Sequence, residues 1–256
     1  MIRLFNPTSW LRKPHPLLVE NKELFSDFSQ SNPLSEYTFV VFDTELTGLN
    51  KRRDEIISIG AVRITNLQVE LGETVNQYVR PRNLEHTEST LIHRITPEQL
   101  QTMPTLDEVL PEFIRFCGNA LLVGHYVALD MNFLNKACQK FLGGTVSNPS
   151  VDTMRLAMGY KEAQFMEQYG HGGLSTSYNL NDLGKEFGLP EFKPHDALED
   201  ALQTAYLFLY LVKKMKHVKI KIWLIVLLIA PLAPAAVHYV PTTDYPTIQA
   251  AVNACS

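Results

Sequence analysis

Asp43 and Glu45 stand two residues apart where the apolar run Thr38-Phe39-Val40-Val41-Phe42 ends; Asp130 follows a second such run, Leu121–Gly124. His195 and Asp200 form a His-x-x-x-x-Asp pair at the start of a long amphipathic segment. Side chains alternate along a strand, so residues i and i+2 share a face, and Asp43 and Glu45 can reach one metal pair together. Four carboxylates match the oxygen preference of hard cations such as Mg²⁺ and Mn²⁺. Two such ions roughly 3.5–4 Å apart supply what phosphodiester hydrolysis needs: an activated water, in-line attack and neutralised phosphoryl charge. Taken singly, each residue has a bland reading. Acids at a strand end are solvated turn residues, Asp130 is an N-cap, His195 is a loop histidine and Asp200 faces water. Only their order and the elements that carry them make a set.

Those elements read as follows. Residues 38–42 are β-branched and aromatic, a buried strand ending at Asp43. Thr47-Gly48-Leu49-Asn50 is a turn, leading into Lys51-Arg52-Arg53, a charge run that steers an incoming strand or, more commonly, is plain solvated surface. Strands over 56–64 and 75–79 complete a three-stranded meander. Thr96 caps a helix with Pro97 at its first position, and a second helix covers 106–116 despite Pro111. Strand 121–124 precedes a helix over 130–141, and a short helix over 180–187 closes at Gly188. The last helix runs from 196 to 213, with Leu198, Ala201, Leu202, Ala205, Leu209 and Val212 at helical spacing. Pro194 keeps His195 on the preceding loop, Asp196 and Glu199 form a capping pair, and Asp200 lies inside the helix. Strands first, then alternating helix and strand, specify an α/β fold with helices covering a mixed sheet.

Taken together, these motifs resemble the 3′–5′ exonucleases named for their Asp-Glu-Asp-Asp carboxylates, in the His-containing subgroup to which the proofreading epsilon subunit of bacterial DNA polymerase III belongs. The resemblance extends from about Thr38 to about Lys213. It implies a ribonuclease H-like fold with a five-stranded sheet, two Mg²⁺ ions (Mn²⁺ substituting) on Asp43, Glu45, Asp130 and Asp200, and His195 as general base. A histidine ordinarily titrates near neutrality, which suits that task. The resemblance also implies Thr44, Leu46, Thr47 and His93 at the nucleotide, with Asp152 as a buried strand-end acid behind the site. Leu46 stands where the family usually has Thr, and Tyr126 where it has Asn.

The activity so implied is removal of mononucleotides from the 3′ end of single-stranded DNA, in proofreading or repair, alongside a DNA polymerase. The alternatives are an exoribonuclease of the same fold and a non-catalytic module that binds nucleic-acid ends or a polymerase. At 256 residues, with net charge −4 and pI near 6.1, the chain lacks the basic surplus that a broad duplex grip requires. Its three scattered cysteines form no metal-ligand or disulfide pattern and suit a reducing, cytoplasmic setting.

Residues 1–36 read as a partly helical extension without a signal-peptide run, and residues 37–214 as the exonuclease domain. Over 215–256 the character changes. Lysines precede an apolar stretch interrupted by Pro231 and Pro234, then small residues, in the manner of a signal peptide. Asp244–Val252 weakly resembles the opening of secreted β-helix proteins of the pectin-degrading type. A fusion scar is the preferred reading. An anchor through 222–237, holding the domain at the cytoplasmic face of the inner membrane, comes second, and a buried helix third.

Overall fold

Strand β1 (Phe39–Leu46) is the middle strand of a five-stranded sheet ordered β3-β2-β1-β4-β5. The computed structural model describes residues 13–85, 88–168 and 177–215, so the readings of the tail beyond Met215 lie outside the described residues. β2 (Ile56–Thr65) pairs antiparallel with β1, and β3 (Gln68–Tyr78) antiparallel with β2. β4 (Leu121–Gly124) and β5 (Ser150–Asp152) continue the other side in parallel. The expected mixed α/β sheet flanked by helices is therefore present.

Both faces of β1 are buried, which is why it reads as a continuous apolar run rather than an alternating one. Val40, Phe42 and Leu46 pack with α4 (Leu106–Cys117) and α5 (Ala128–Phe141). Phe39 and Val41 pack with α6 (Thr153–Gln168) and α8 (Ala197–Met215). Asp43 and Glu45 continue the second face, toward α8. Helix α1 (Pro16–Leu24) contributes Leu18 to the first core cluster, so part of the expected N-terminal extension is packed. Helices α2 (Glu88–His93) and α3 (Pro97–Leu100) follow β3, and α7 (Leu180–Glu186) precedes α8. No described helix is long and apolar enough to cross a membrane.

Two boundaries differ from expectation. The spacing predicts a strand ending at Asp43, but β1 runs on to Leu46, which pairs with Ile56 and is only 7% exposed. A strand over 75–79 is too short by half, since β3 begins at Gln68. As an edge strand β3 is largely exposed and polar, leaving little apolar alternation to read. Asn66 and Leu67 close the β2–β3 hairpin with φ of 50° and 58°. A two-residue turn of that hand ordinarily announces itself by a glycine, which is missing here.

Candidate active site

β4 accompanies β1 only as far as the Val41–Val123 pair, so residues 43–46 have β2 on one edge and no strand on the other among the described residues. Asp130 fills that edge. Its Oδ1 accepts the Thr44 backbone N–H at 3.1 Å and the Thr44 hydroxyl at 2.6 Å. Helix α5 starts at Ala128, so Asp130 lies within its first turn and is 5% exposed, not an N-cap. The carboxylate thus replaces a missing sheet partner.

The other half of the site comes with α8. Asp196 caps this helix, its Oδ1 accepting from the N–H groups of Leu198 at 3.2 Å and Glu199 at 3.4 Å. His195, on the preceding loop as expected, has φ 63°, an unusual backbone for a residue with a Cβ. Its N–H donates to Asp200 Oδ2 at 2.9 Å, which ties the loop to the helix. Glu45, His195 and Asp200 each offer a ligand atom, all within 4.8 Å of one another.

A residue with no functional group governs how these halves meet. Gly60 pairs with Asp43 across β1 and β2. A Cβ there would stand 2.0 Å from the carbonyl carbon of Ala197 and 2.1 Å from the nitrogen of Leu198. The first turn of α8 therefore lies directly on the β2 backbone, and no other residue would let it. A glycine inside a strand is the signal for such an approach; it stands in the sequence as Ser58-Ile59-Gly60-Ala61 and was not singled out.

The electrostatics follow from crowding. Burial, then the charges of Asp130, Asp200 and Glu45, hold the Asp43 carboxyl well above the usual carboxylate range. Glu45 is pushed up to about 8, by burial first and then by Asp200 and Asp130. Burial lifts Asp130 to about 7, against the hydrogen bonds from Thr44. Asp200 rises to about 6 through burial, opposed by the N–H and charge of His195. Four acids that resist ionising together, with oxygen donors converging, form a set that fits divalent cations.

Of the residues expected at the nucleotide, two point elsewhere. Thr44 is buried and its hydroxyl is engaged by Asp130, while Leu46 belongs to the core. Thr47 exchanges hydrogen bonds with Glu55, its N–H donating to the carbonyl and its Oγ1 accepting the N–H, both at 3.0 Å. Thr47 and His93 line a small pocket. His93 Nδ1 accepts the Ile95 N–H at 3.0 Å, which leaves the proton on Nε2, buried with no hydrogen-bond partner among the described residues. Burial and the charge of His195 lower its pKa, so His93 is a neutral donor close to the site.

Asp152 is buried behind the site, as expected. Its Oδ1 accepts the N–H groups of Tyr126 and Met154, both at 3.0 Å. Tyr126 has φ 59°, a conformation in which Asn is far more at home, and the bond to Asp152 holds it there. This turn delivers α5 and hence Asp130. His125 was not anticipated as a brace. It donates from Nε2 to the Tyr178 carbonyl at 2.8 Å, and Nδ1 meets the Thr153 hydroxyl at 2.9 Å.

Comparison with known proteins agrees with this geometry. An exonuclease family model, RNase_T, matches residues 40–208, more than half of the chain. The PolC-type DNA polymerase III of Thermotoga petrophila is 33% identical over 207 residues, covering 80% of this chain. The chain spans only 14% of that relative's length. Among solved structures, E. coli Exonuclease I in complex with a dT13 oligonucleotide superposes with TM-score 0.59 at 18% identity, covering 71% of this chain and 42% of that one. The nuclease domain of 3′hExo, a DEDDh family member bound to rAMP, gives 0.58 at 18% identity, covering 71% and 94%. At such identities the two structures speak for the fold alone. With four carboxylates and a histidine gathered at the end of β1 and the family model covering the strands and helices that bring them there, the chain belongs to the RNase_T exonuclease family.

Proposed function

We propose that this chain is a metal-dependent 3′–5′ exonuclease that releases nucleoside monophosphates from the 3′ end of single-stranded DNA. One observation carries the reading: the Asp43 carboxyl lies within electrostatic reach of Asp130, Asp200 and Glu45 at once. Asp43, Glu45, Asp130 and Asp200 would hold two Mg²⁺ ions, with Mn²⁺ as a substitute. When bound, such ions activate water and neutralise charge on the phosphoryl oxygens.

The chain's own side chains do the rest. His195 is exposed, beside Glu45 and Asp200, and takes the proton of the attacking water. Asp200 accepts the His195 backbone N–H and so keeps the ring at the rim of the cluster. Thr44 orients Asp130 from behind. His93 and Thr47 bound the terminal nucleotide, with His93 Nε2 as a fixed donor. The PolC-type relatives support a partnership with a DNA polymerase, in proofreading or repair.

The test uses the full chain with a 5′-labelled single-stranded DNA oligomer and Mg²⁺ or Mn²⁺. A ladder shortening from the 3′ end is expected, absent with EDTA and in Asp43→Ala. An intact oligomer from folded protein that also fails to bind Mn²⁺ would replace the enzyme with a binding module. A matched RNA oligomer degraded in preference to DNA would transfer the activity to RNA ends.

A further inference from the structure

A groove of about 290 Å³ opens beside the pocket that holds Thr47 and His93, lined by Arg80, Arg82 and Lys140 with Leu84, Leu106 and Phe141 as apolar wall. We propose that this groove is a binding track for the substrate strand, holding the nucleotides upstream of the one being removed. The inference rests on the exonuclease reading and goes beyond it by saying where the rest of the strand lies.

Three observations carry it. The first is continuity with the site. Pro81 and Leu84 line both the groove and the small pocket that contains Thr47 and His93. The groove and the His93 pocket therefore share a wall, and the upstream nucleotides of a strand ending at the site would pass His93 to reach the groove.

The second is charge. The chain carries a net −4, yet Arg80, Arg82 and Lys140 line one groove, and the exposed turn Lys51-Arg52-Arg53 shortly precedes its Glu55 in the chain. Two acids also line the groove, Asp107 and Glu55. Glu55 organises the cations. Its Oε1 lies 2.7 Å from Arg82 Nε and 3.6 Å from Lys140 Nζ, and its Oε2 accepts the Arg82 N–H at 2.9 Å. Held by one half-buried acid, Arg82 keeps most of its guanidinium in solvent, its side chain 68% exposed. Arg80 is anchored similarly, one guanidinium nitrogen donating to the Gln101 carbonyl at 3.2 Å. Pre-oriented cations of this kind match phosphate oxygens along a backbone.

The third is the apolar wall. Leu84 is 37% exposed, and the Phe141 ring lies 4.2 Å from Lys140 Nζ. A single-strand track combines cationic contacts to phosphates with apolar or aromatic surface for unpaired bases. The groove volume lies at the lower edge of the roughly 300–1,000 Å³ typical of small-ligand sites, room for a nucleotide rather than a duplex.

The experiment compares a long DNA oligomer with a trinucleotide, using the full chain, the Arg80→Gln/Lys140→Gln variant, and a charge-matched control, Lys22→Gln/Lys193→Gln. The groove variant should raise the ratio of KM for the oligomer to KM for the trinucleotide by about tenfold, with the slope of log affinity against log salt shallower by about 1.4 for two lost phosphate contacts. The control should move neither, and Arg80→Lys/Lys140→Arg should restore both. An unchanged KM ratio and salt slope in the groove variant would overturn the track while leaving the exonuclease reading intact. Failure of the unmodified chain to cut either substrate would instead overturn the exonuclease reading.

Discussion

The strand side and the helix side of the site are built on opposite principles. Asp43, Glu45 and Asp130 are set in the sheet or its first neighbouring turn, with Thr44 fixing Asp130 through two hydrogen bonds. His195 and Asp200 sit on a left-handed loop residue and a helix start, joined by one N–H bond and seated on Gly60. The difference separates two tasks, with Asp200 as the one ligand that joins the cations from the helix side. Cation ligands need fixed geometry, because metal affinity depends on where the oxygens stand. A group that takes a proton needs access to solvent and a position that follows the substrate.

That comparison breaks most sharply at His195. His195→Ala should cost roughly 10²–10⁴-fold in kcat, the usual worth of a general base, while Mn²⁺ binding measured by calorimetry stays near that of the unmodified chain. A comparable loss of Mn²⁺ affinity would move His195 into the ligand set and erase the division between the ligands and the proton acceptor. Gly60→Ala should lift α8 from the sheet and misplace the helix side against the strand side, with a loss on the order of 10²-fold, as for displacements of about 1 Å. The melting temperature should fall with it. Normal kcat in a folded Gly60→Ala protein would show that another contact seats α8.

Thr44→Val keeps the core volume and removes the hydroxyl from Asp130. A loss of about 10–100-fold in metal affinity or activity is expected, in the range for groups that orient ligands. No change in either would mean that the backbone N–H alone positions Asp130. The smallest effect concerns stability. The folded protein raises Glu45 from 4.5 to about 8, Asp130 to about 7 and Asp200 to about 6. A raised acid stabilises the fold below its ordinary pKa and loses that contribution as pH climbs through the folded value. The melting temperature of EDTA-treated protein should therefore fall between about pH 4.5 and 8, by roughly 2–4 °C per kcal/mol lost. Mn²⁺ should restore more at pH 8 than at pH 5. A metal-free melting temperature that stays flat over this range would mean that the carboxylates are less crowded than their positions imply.

Much of this site could be read from residue order. Asp-x-Glu after an apolar strand, an acid at a helix start and His-x-x-x-x-Asp at another are local patterns, set by strand alternation and helix capping. The strands over 56–64 and 121–124 and the Thr96 cap were legible for the same reason. β3 was half missed because an edge strand exposed to water has no need of apolar alternation. β5 entered only through Asp152 as a strand-end acid, since three strand residues leave too short a pattern, and α6 was not read because its apolar residues do not gather on one face. Thr44 and Leu46 were assigned to the nucleotide through the family resemblance. In the fold their side chains leave β1 on the face opposite Asp43 and Glu45, which alternation already implied.

The sequence by itself determined the chemistry available: four oxygen ligands, one histidine and the elements that carry them. Only the tertiary structure decided that Asp130 stands in for a strand at the open edge of β1, because that depends on where β4 stops pairing. It also decided that α8 lies on the bare backbone of Gly60, and that Glu55 gathers Arg82 and Lys140 into a groove sharing Pro81 and Leu84 with the pocket that holds His93. These are contacts between segments distant in the chain. They depend on packing, which no local pattern of residues encodes.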